Sequence, residues 1–155
     1  MKPIDPVVVG CIEHVDLPEW GIRGLRGKID TGARTSALHV ENIRELGDGR
    51  VKFDVRLHRK NMDRRVHVVA DIARTSRVRP SSGDLAARIV VETTLRLGTV
   101  ERRIEIGLVD RTHMMFRLLL GRSAFTTGVL IDPGKRYLLG RNPRRRDKAA
   151  AATSR

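Results

Sequence analysis

Asp30, Thr31 and Gly32 stand together in the run Lys28-Ile29-Asp30-Thr31-Gly32-Ala33, a carboxylate, a hydroxyl and a glycine behind an apolar residue. Far downstream, the apolar run Leu118-Leu119-Leu120 ends in Gly121-Arg122. A carboxylate held in a tight loop can bind and activate water. Two such carboxylates sharing one proton cannot both ionise, so one pKa falls and the other rises. The charged member then takes a proton from the water, while the protonated one donates to a peptide carbonyl. That chemistry needs a pair, and this chain carries one Asp-Thr-Gly. Hydrolysis by this route therefore requires two copies about a two-fold axis, each lending Asp30. Thr31 would offer its hydroxyl to the partner's loop, and Gly32 would let the backbone turn tightly beside the carboxylate. The same residues also read as an ordinary turn closing a strand at Ile29.

Other chemistries find less support. The histidines, His14, His39, His58, His67 and His113, are scattered and carry no zinc-ligand spacing. No phosphate-binding glycine loop precedes a helix, and no Gly-x-Ser-x-Gly elbow is present. Ser36 has no histidine placed by the sequence to activate it. Asp110-Arg111 reads as a turn ion pair. Cys11, the single cysteine, excludes an internal disulfide and reads as a small buried hydrophobe in an apolar run.

With 155 residues and 40% apolar content, the chain suits one domain with a real core. It has no apolar run of membrane-spanning length and no signal-peptide shape at its start, so a cytoplasmic protein with no membrane partner is expected. The net charge of +13 favours acidic partners such as nucleic acid, a ribosome or an acidic peptide. Aromatics are only 3% of the chain, too few to build stacking platforms for single strands.

The elements that must position Asp30 read as strands. Alternation predicts them over residues 7–15, 21–29, 36–46, 51–57, 65–72, 88–97 and 100–109, with tight hairpins at Gly47-Asp48-Gly49 and Gly98-Thr99. Residues 118–120 read as a buried strand and 123–128 as a short helix capped by Ser123. Asp132-Pro133-Gly134 reads as a turn between strands 129–131 and 136–139. The polar stretch 75–84 reads as a surface loop. An all-β domain over 1–140, a small barrel or sandwich, is the expectation. A basic disordered tail is expected over 141–155, where six basic residues face Asp147.

The stretch Gly27-Lys28-Ile29-Asp30-Thr31-Gly32-Ala33-Arg34-Thr35-Ser36-Ala37-Leu38-His39 is followed by Arg88-Ile89-Val90-Val91-Glu92-Thr93, Leu97-Gly98, Leu108, Asp110-Arg111 and Met114. Leu119-Leu120-Gly121-Arg122 and Ile131-Asp132-Pro133 complete the pattern. Together these resemble a bacterial family of small retropepsin-like aspartic peptidases, over about residues 7–140. The family has borne the label "ATP-dependent zinc protease", and some members are associated with ATP-grasp ligases that add glutamate to proteins. The residues here carry neither a zinc nor an ATP motif, so aspartic chemistry with no metal and no cofactor is the reading.

The resemblance implies a small closed barrel with a short C-terminal helix and an active site shared by a homodimer. It makes Asp30 catalytic, Thr31, Gly32 and Ala33 the active-site loop, and Gly121 and Arg122 structural neighbours of the site. It puts Ser82 and Gly83 in a flap over the substrate. Viral relatives follow D-T-G-A with an acidic residue that pairs with the Gly-Arg arginine. Here that place is Arg34, so Arg122 needs another partner. Arg34 would bring positive charge to the substrate cleft, unless it simply faces solvent.

The resulting expectation is a homodimeric aspartic endopeptidase acting on an acidic or glutamate-extended protein. The alternative is a non-catalytic basic module of the same fold that contacts RNA or the ribosome. A third reading is an amidase trimming single amino acids.

Overall fold

The computed structural model describes residues 5–58, 64–78, 86–110, 112–113, 115–125 and 128–140. The expected flap tip with Ser82 and Gly83, and the tail 141–155, lie outside the described residues.

Every long element is a strand. In chain order these are β1 (Val7–Gly10), β2 (Ile12–Leu17), β3 (Ile22–Ile29), β4 (Ser36–His39), β5 (Glu41–Glu45) and β6 (Arg50–Arg56). There follow β7 (Arg65–Val78), β8 (Ala86–Leu97), β9 (Val100–Val109), β10 (Leu118–Leu120) and β11 (Val129–Asp132). The neighbours β2-β3-β10-β4-β9-β8 close on themselves through pairing of β2 with β8, giving a six-stranded barrel. Closure removes the open edges that a six-stranded sheet would otherwise expose. β7, β6 and β5 continue the sheet beyond β8 as an antiparallel meander.

The barrel interior is filled as strand alternation requires. In β3, Ile22, Leu25 and Ile29 are buried while Arg23, Arg26 and Lys28 are exposed. Leu38, Leu95, Leu97, Ile106, Leu118 and Leu120 are fully buried alongside them. Trp20 packs edge-on against buried Phe53, tying the turn after β2 to the meander. Among the described residues no helix is long and apolar enough to cross a membrane.

The structure corrects several boundaries. The single strand expected over 7–15 is broken at Cys11: β1 leaves the barrel to pair in parallel with β11. The break follows from the strap 135–139, which crosses there. The Cys11 N–H donates to the Lys135 carbonyl at 2.8 Å, and a Cβ on Gly10 would lie 2.4 Å from that same oxygen. Cys11 is accordingly only half-buried, not the core residue expected. The strand expected over 36–46 divides at Val40, its first part in the barrel and its second in the meander. The loop expected from residue 75 is instead strand through Val78, paired with β8 back to Ala86. The C-terminal helix is a single 3-10 turn, Arg122–Ala124, with Gly121 before it and no side-chain cap. Residues 136–139 form no strand.

That strap is held by a residue the sequence did not single out. Glu13 is 1% exposed, and its carboxylate accepts from the N–H groups of Gly10 at 2.7 Å, Leu138 at 3.0 Å and Leu139 at 3.2 Å. Tyr137 stacks on His14 in the same corner and adopts a left-handed backbone, φ 54°. Removing the carboxylate would strand three amide donors. Glu13→Ala should therefore lower stability by about 3 kcal/mol, against about 0.5 for an exposed glutamate such as Glu45. Thermal unfolding of the two variants checks this, and equal melting temperatures would remove the latch role.

Candidate active site

Asp30 emerges at the end of β3 because β10 is wedged between β3 and β4. β10 runs parallel to β3, with Leu120 beside Ile29, and antiparallel to β4 on its other side. The Asp30 N–H continues that ladder by donating to the Leu120 carbonyl at 2.9 Å. The chain must then cross over the end of β10 to reach β4, and residues 30–35 make the crossing. Their side chains, each either small or polar, suit a turn that cannot enter the core.

The crossing is fixed from within and from behind. The Gly32 N–H donates to Asp30 Oδ1 at 3.0 Å, and the Ala33 N–H to the Asp30 carbonyl at 3.2 Å. A Cβ on Gly32 would lie 3.2 Å from Asp30 Oδ1, so glycine serves close approach to the carboxylate. Behind the loop, the N–H groups of Arg122 and Ser123 donate to the carbonyls of Ala33 and Arg34 at 2.8 and 2.9 Å. The Gly121 N–H donates to the buried hydroxyl of Ser36 at 3.1 Å. The sequence thus paired the right two motifs, since Gly121-Arg122 forms a backbone clamp on the Asp30 loop. It missed Ser36, whose hydroxyl serves that clamp, because a serine in an apolar strand carries no distinctive pattern. It also misplaced Ser123 as a helix cap; its N–H is used on the Arg34 carbonyl.

Arg122 finds its other partner in a backbone group. Its Nη1 donates to the Thr31 carbonyl at 2.9 Å, which steadies the middle of the loop. Arg34 is exposed and has a carboxylate in reach of its field. Glu105 on β9 is held below the ordinary carboxylate range, chiefly by Arg74, whose Nε and Nη2 donate to it at 3.0 and 2.7 Å, and further by the charge of Arg34. The carboxylate that feels the charge of Arg34 therefore lies on β9, where it is paired with Arg74. Signals for Glu105 and Arg74 lay only in the cross-sheet geometry, since they are far apart in sequence.

Asp30 itself is half-buried, with Thr31 and Gly32 exposed beside it. A cleft of about 520 Å³ is built by other elements, lined by Glu19, Trp20, Val69, Asp71 and Arg103 among others. Among the described residues no three His, Cys, Asp or Glu side chains converge as a metal ion would require. Asp110 accepts from the Thr112 hydroxyl at 2.7 Å; its expected turn partner Arg111 lies outside the described residues.

Known proteins resemble this chain over most of its length. Proteins named probable alpha-L-glutamate ligase match it at 35% identity in Desulfotalea psychrophila and 30% in Shewanella halifaxensis, each over 138 residues and 86% of this chain. The chain spans only 29–30% of the length of those relatives. A crystal structure of a Legionella pneumophila protein of unknown function superposes with a TM-score of 0.67 at 25% identity, covering 86% of this chain and 98% of that one. A family described as RimB-like, retropepsin-like aspartic endopeptidase RimB, matches residues 8–142. With its Asp-Thr-Gly loop clamped by Gly121-Arg122 at the end of a closed barrel, the chain belongs to that RimB-like family of retropepsin-like aspartic endopeptidases.

Proposed function

We propose that the protein is a homodimeric aspartic endopeptidase in which Asp30 and its symmetry mate share a proton across a bound water. The observation that carries this reading is the Asp30 loop. It presents one oriented carboxylate, anchored through backbone groups beside the exposed Thr31 and Gly32. A two-fold copy would supply the second carboxylate. The charged member would deprotonate the water as the other protonates or hydrogen-bonds the scissile carbonyl. The Gly32 N–H on Oδ1 would hold the carboxylate plane toward the water, leaving Oδ2 for the shared proton.

The substrate we infer is acidic, such as a glutamate-extended protein. The +13 net charge and Arg34 beside the loop support it, as does the resemblance to portions of proteins named glutamate ligases. The ligase name belongs to those much longer chains, and this segment carries no nucleotide-binding loop of its own. A cytoplasmic setting is part of the same reading.

Mixing decides the dimer. Wild type and Asp30→Asn, unfolded and refolded together in equal amounts, should show about a quarter of the activity of the same total of wild type, because only wild-type pairs carry two carboxylates. Half the activity would mean each subunit works alone. A separate expectation concerns Arg34. Arg34→Asp should cut kcat/KM for a glutamate-rich peptide by about tenfold more than for a neutral one at low salt, with the gap closing at high salt. Equal losses on both peptides would make Arg34 structural.

A further inference from the structure

Strand geometry does not stop at Ile29. The Asp30 N–H extends the β3–β10 ladder by one rung, so Asp30 keeps the alternation of the strand before it. Ile29 and Gly27 face the core; Lys28 and Arg26 face out, on the same side as Asp30. Three functional side chains therefore stand in one row at steps of ~6.6 Å.

The two cations of that row are organised by a common floor. Arg26 lies with its guanidinium carbon 5.2 Å from the centre of the Phe116 ring, and the Lys28 ammonium lies 6.0 Å from the same centre. The ring face attracts both positive charges, which restrains each side chain relative to an exposed lysine or arginine with no such neighbour. Phe116 is half-buried, and Met115 beside it is 62% exposed. Among the described residues neither cation has a carboxylate partner within ion-pair distance. Several exposed arginines elsewhere do: Arg50 with Asp48, Arg74 with Glu105 and Arg96 with Glu101.

We propose that Arg26 and Lys28, carried over the Phe116 ring, form a carboxylate-reading shelf that continues the Asp30 site along β3. The shelf takes acidic side chains from alternate positions of an extended peptide. An extended peptide presents residues i and i+2 on one face at the spacing of Lys28 and Arg26, so its register matches that of the strand beneath it. Each carboxylate gains a charge-assisted hydrogen bond, and the aromatic floor limits the side-chain entropy lost on binding. The shelf deepens the peptidase reading, from which it takes its substrate, by adding order: carboxylates spaced by two residues are read, not charge in general.

The test is a binding measurement that does not need cleavage. Two labelled peptides of identical composition are titrated by fluorescence anisotropy into the Asp30→Asn protein. One carries Glu at alternate positions, and the other carries the same glutamates as adjacent pairs. The alternating peptide should bind about fivefold more tightly for each matched rung at low salt. Arg26→Glu with Lys28→Glu should abolish that difference and favour the corresponding alternating lysine peptide. Phe116→Leu, which keeps the net charge, should weaken the isomer preference. Lys52→Glu on the meander, the same charge change as either shelf variant alone, should retain it.

Equal binding of the two isomers, or a preference that survives the double variant, overturns the shelf. So does displacement of both peptides alike by a short RNA with no isomer preference, which would make this a general polyanion surface. If the isomers differ as expected while wild type cuts neither, the shelf stands and the peptidase reading fails.

Discussion

Asp30→Asn should abolish the proposed peptide hydrolysis, lowering kcat by at least about a thousandfold while the protein stays folded. The substitution keeps the side-chain shape, and the amide oxygen can still accept the Gly32 N–H that now reaches Oδ1 at 3.0 Å. What it removes is the ability to share a proton and to take one from water. A paired acid and base act as a unit, so losing one member costs about as much as losing both. Thr31→Ala, by contrast, leaves the carboxylate and its backbone ties in place and should slow the reaction much less. The measurement is cleavage of a glutamate-rich peptide followed by product mass, with sedimentation on the same samples. Cleavage at the wild-type rate by folded Asp30→Asn would move the catalytic group elsewhere. Product masses also separate an endopeptidase, which leaves internal fragments, from an amidase that trims one residue at a time.

Much of this site could be read before the fold was seen, and the reason is local. Asp30, Thr31 and Gly32 are adjacent, and the tie of Gly32 to the Asp30 carboxylate lies within the same few residues, whereas the hold of Arg122 on Thr31 does not. The link to Gly121-Arg122 was legible through the family resemblance, and the apolar triplet before it, read as a short buried strand, does pair beside the loop. Hairpin turns were legible for the same local reason: Gly47, Gly49 and Gly98 all take left-handed backbone where tight turns need it.

The sequence hid interactions between elements far apart in the chain. Glu13 looks like an interruption in an apolar run, and only the strap of residues 135–139 explains why a carboxylate is buried there. The breaks at Cys11 and Val40 are invisible to alternation, since the first joins strands of two different sheets and the second joins a barrel strand to a meander strand at the far edge of the same sheet. Ser123 has a capping residue's chemistry but lies inside the 3-10 turn, where its N–H donates to the Arg34 carbonyl. The cations of β3 could be placed on an outward face by pattern, but not over Phe116, which lies in another part of the chain.

Gly121→Ala should be the most damaging single methyl that can be added near the site. Gly121 has φ −79° and ψ 170°, extended backbone that alanine adopts freely, so the damage is steric and not conformational. A Cβ there would sit 2.7 Å from the Arg34 carbonyl oxygen and 2.7 Å from the Thr35 carbonyl carbon, both backbone atoms of the loop it clamps. Neither can rotate away. Relief requires the loop and the 122–124 turn to separate, which stretches the Arg122 and Ser123 N–H bonds to Ala33 and Arg34 and the Gly121 bond to Ser36. Overpacking of this kind costs about 1–3 kcal/mol of stability. A displacement near 1 Å passed to Asp30 would cost about a hundredfold in rate.

Gly27→Ala gives the contrast. Its Cβ would meet only leucine side-chain atoms, the nearest at 3.3 Å, which can shift by a few tenths of an ångström. Thermal melts and kcat/KM for both variants, measured well below the melting temperature, separate lost stability from lost positioning. A Gly121→Ala protein as active and as stable as Gly27→Ala would mean that the clamp does not hold Asp30 in place. Recovery of activity at low temperature would mean that the methyl merely unfolds the chain. The outcome expected is a folded protein at low temperature whose rate stays depressed, because the carboxylate and its water no longer meet the substrate at the same point.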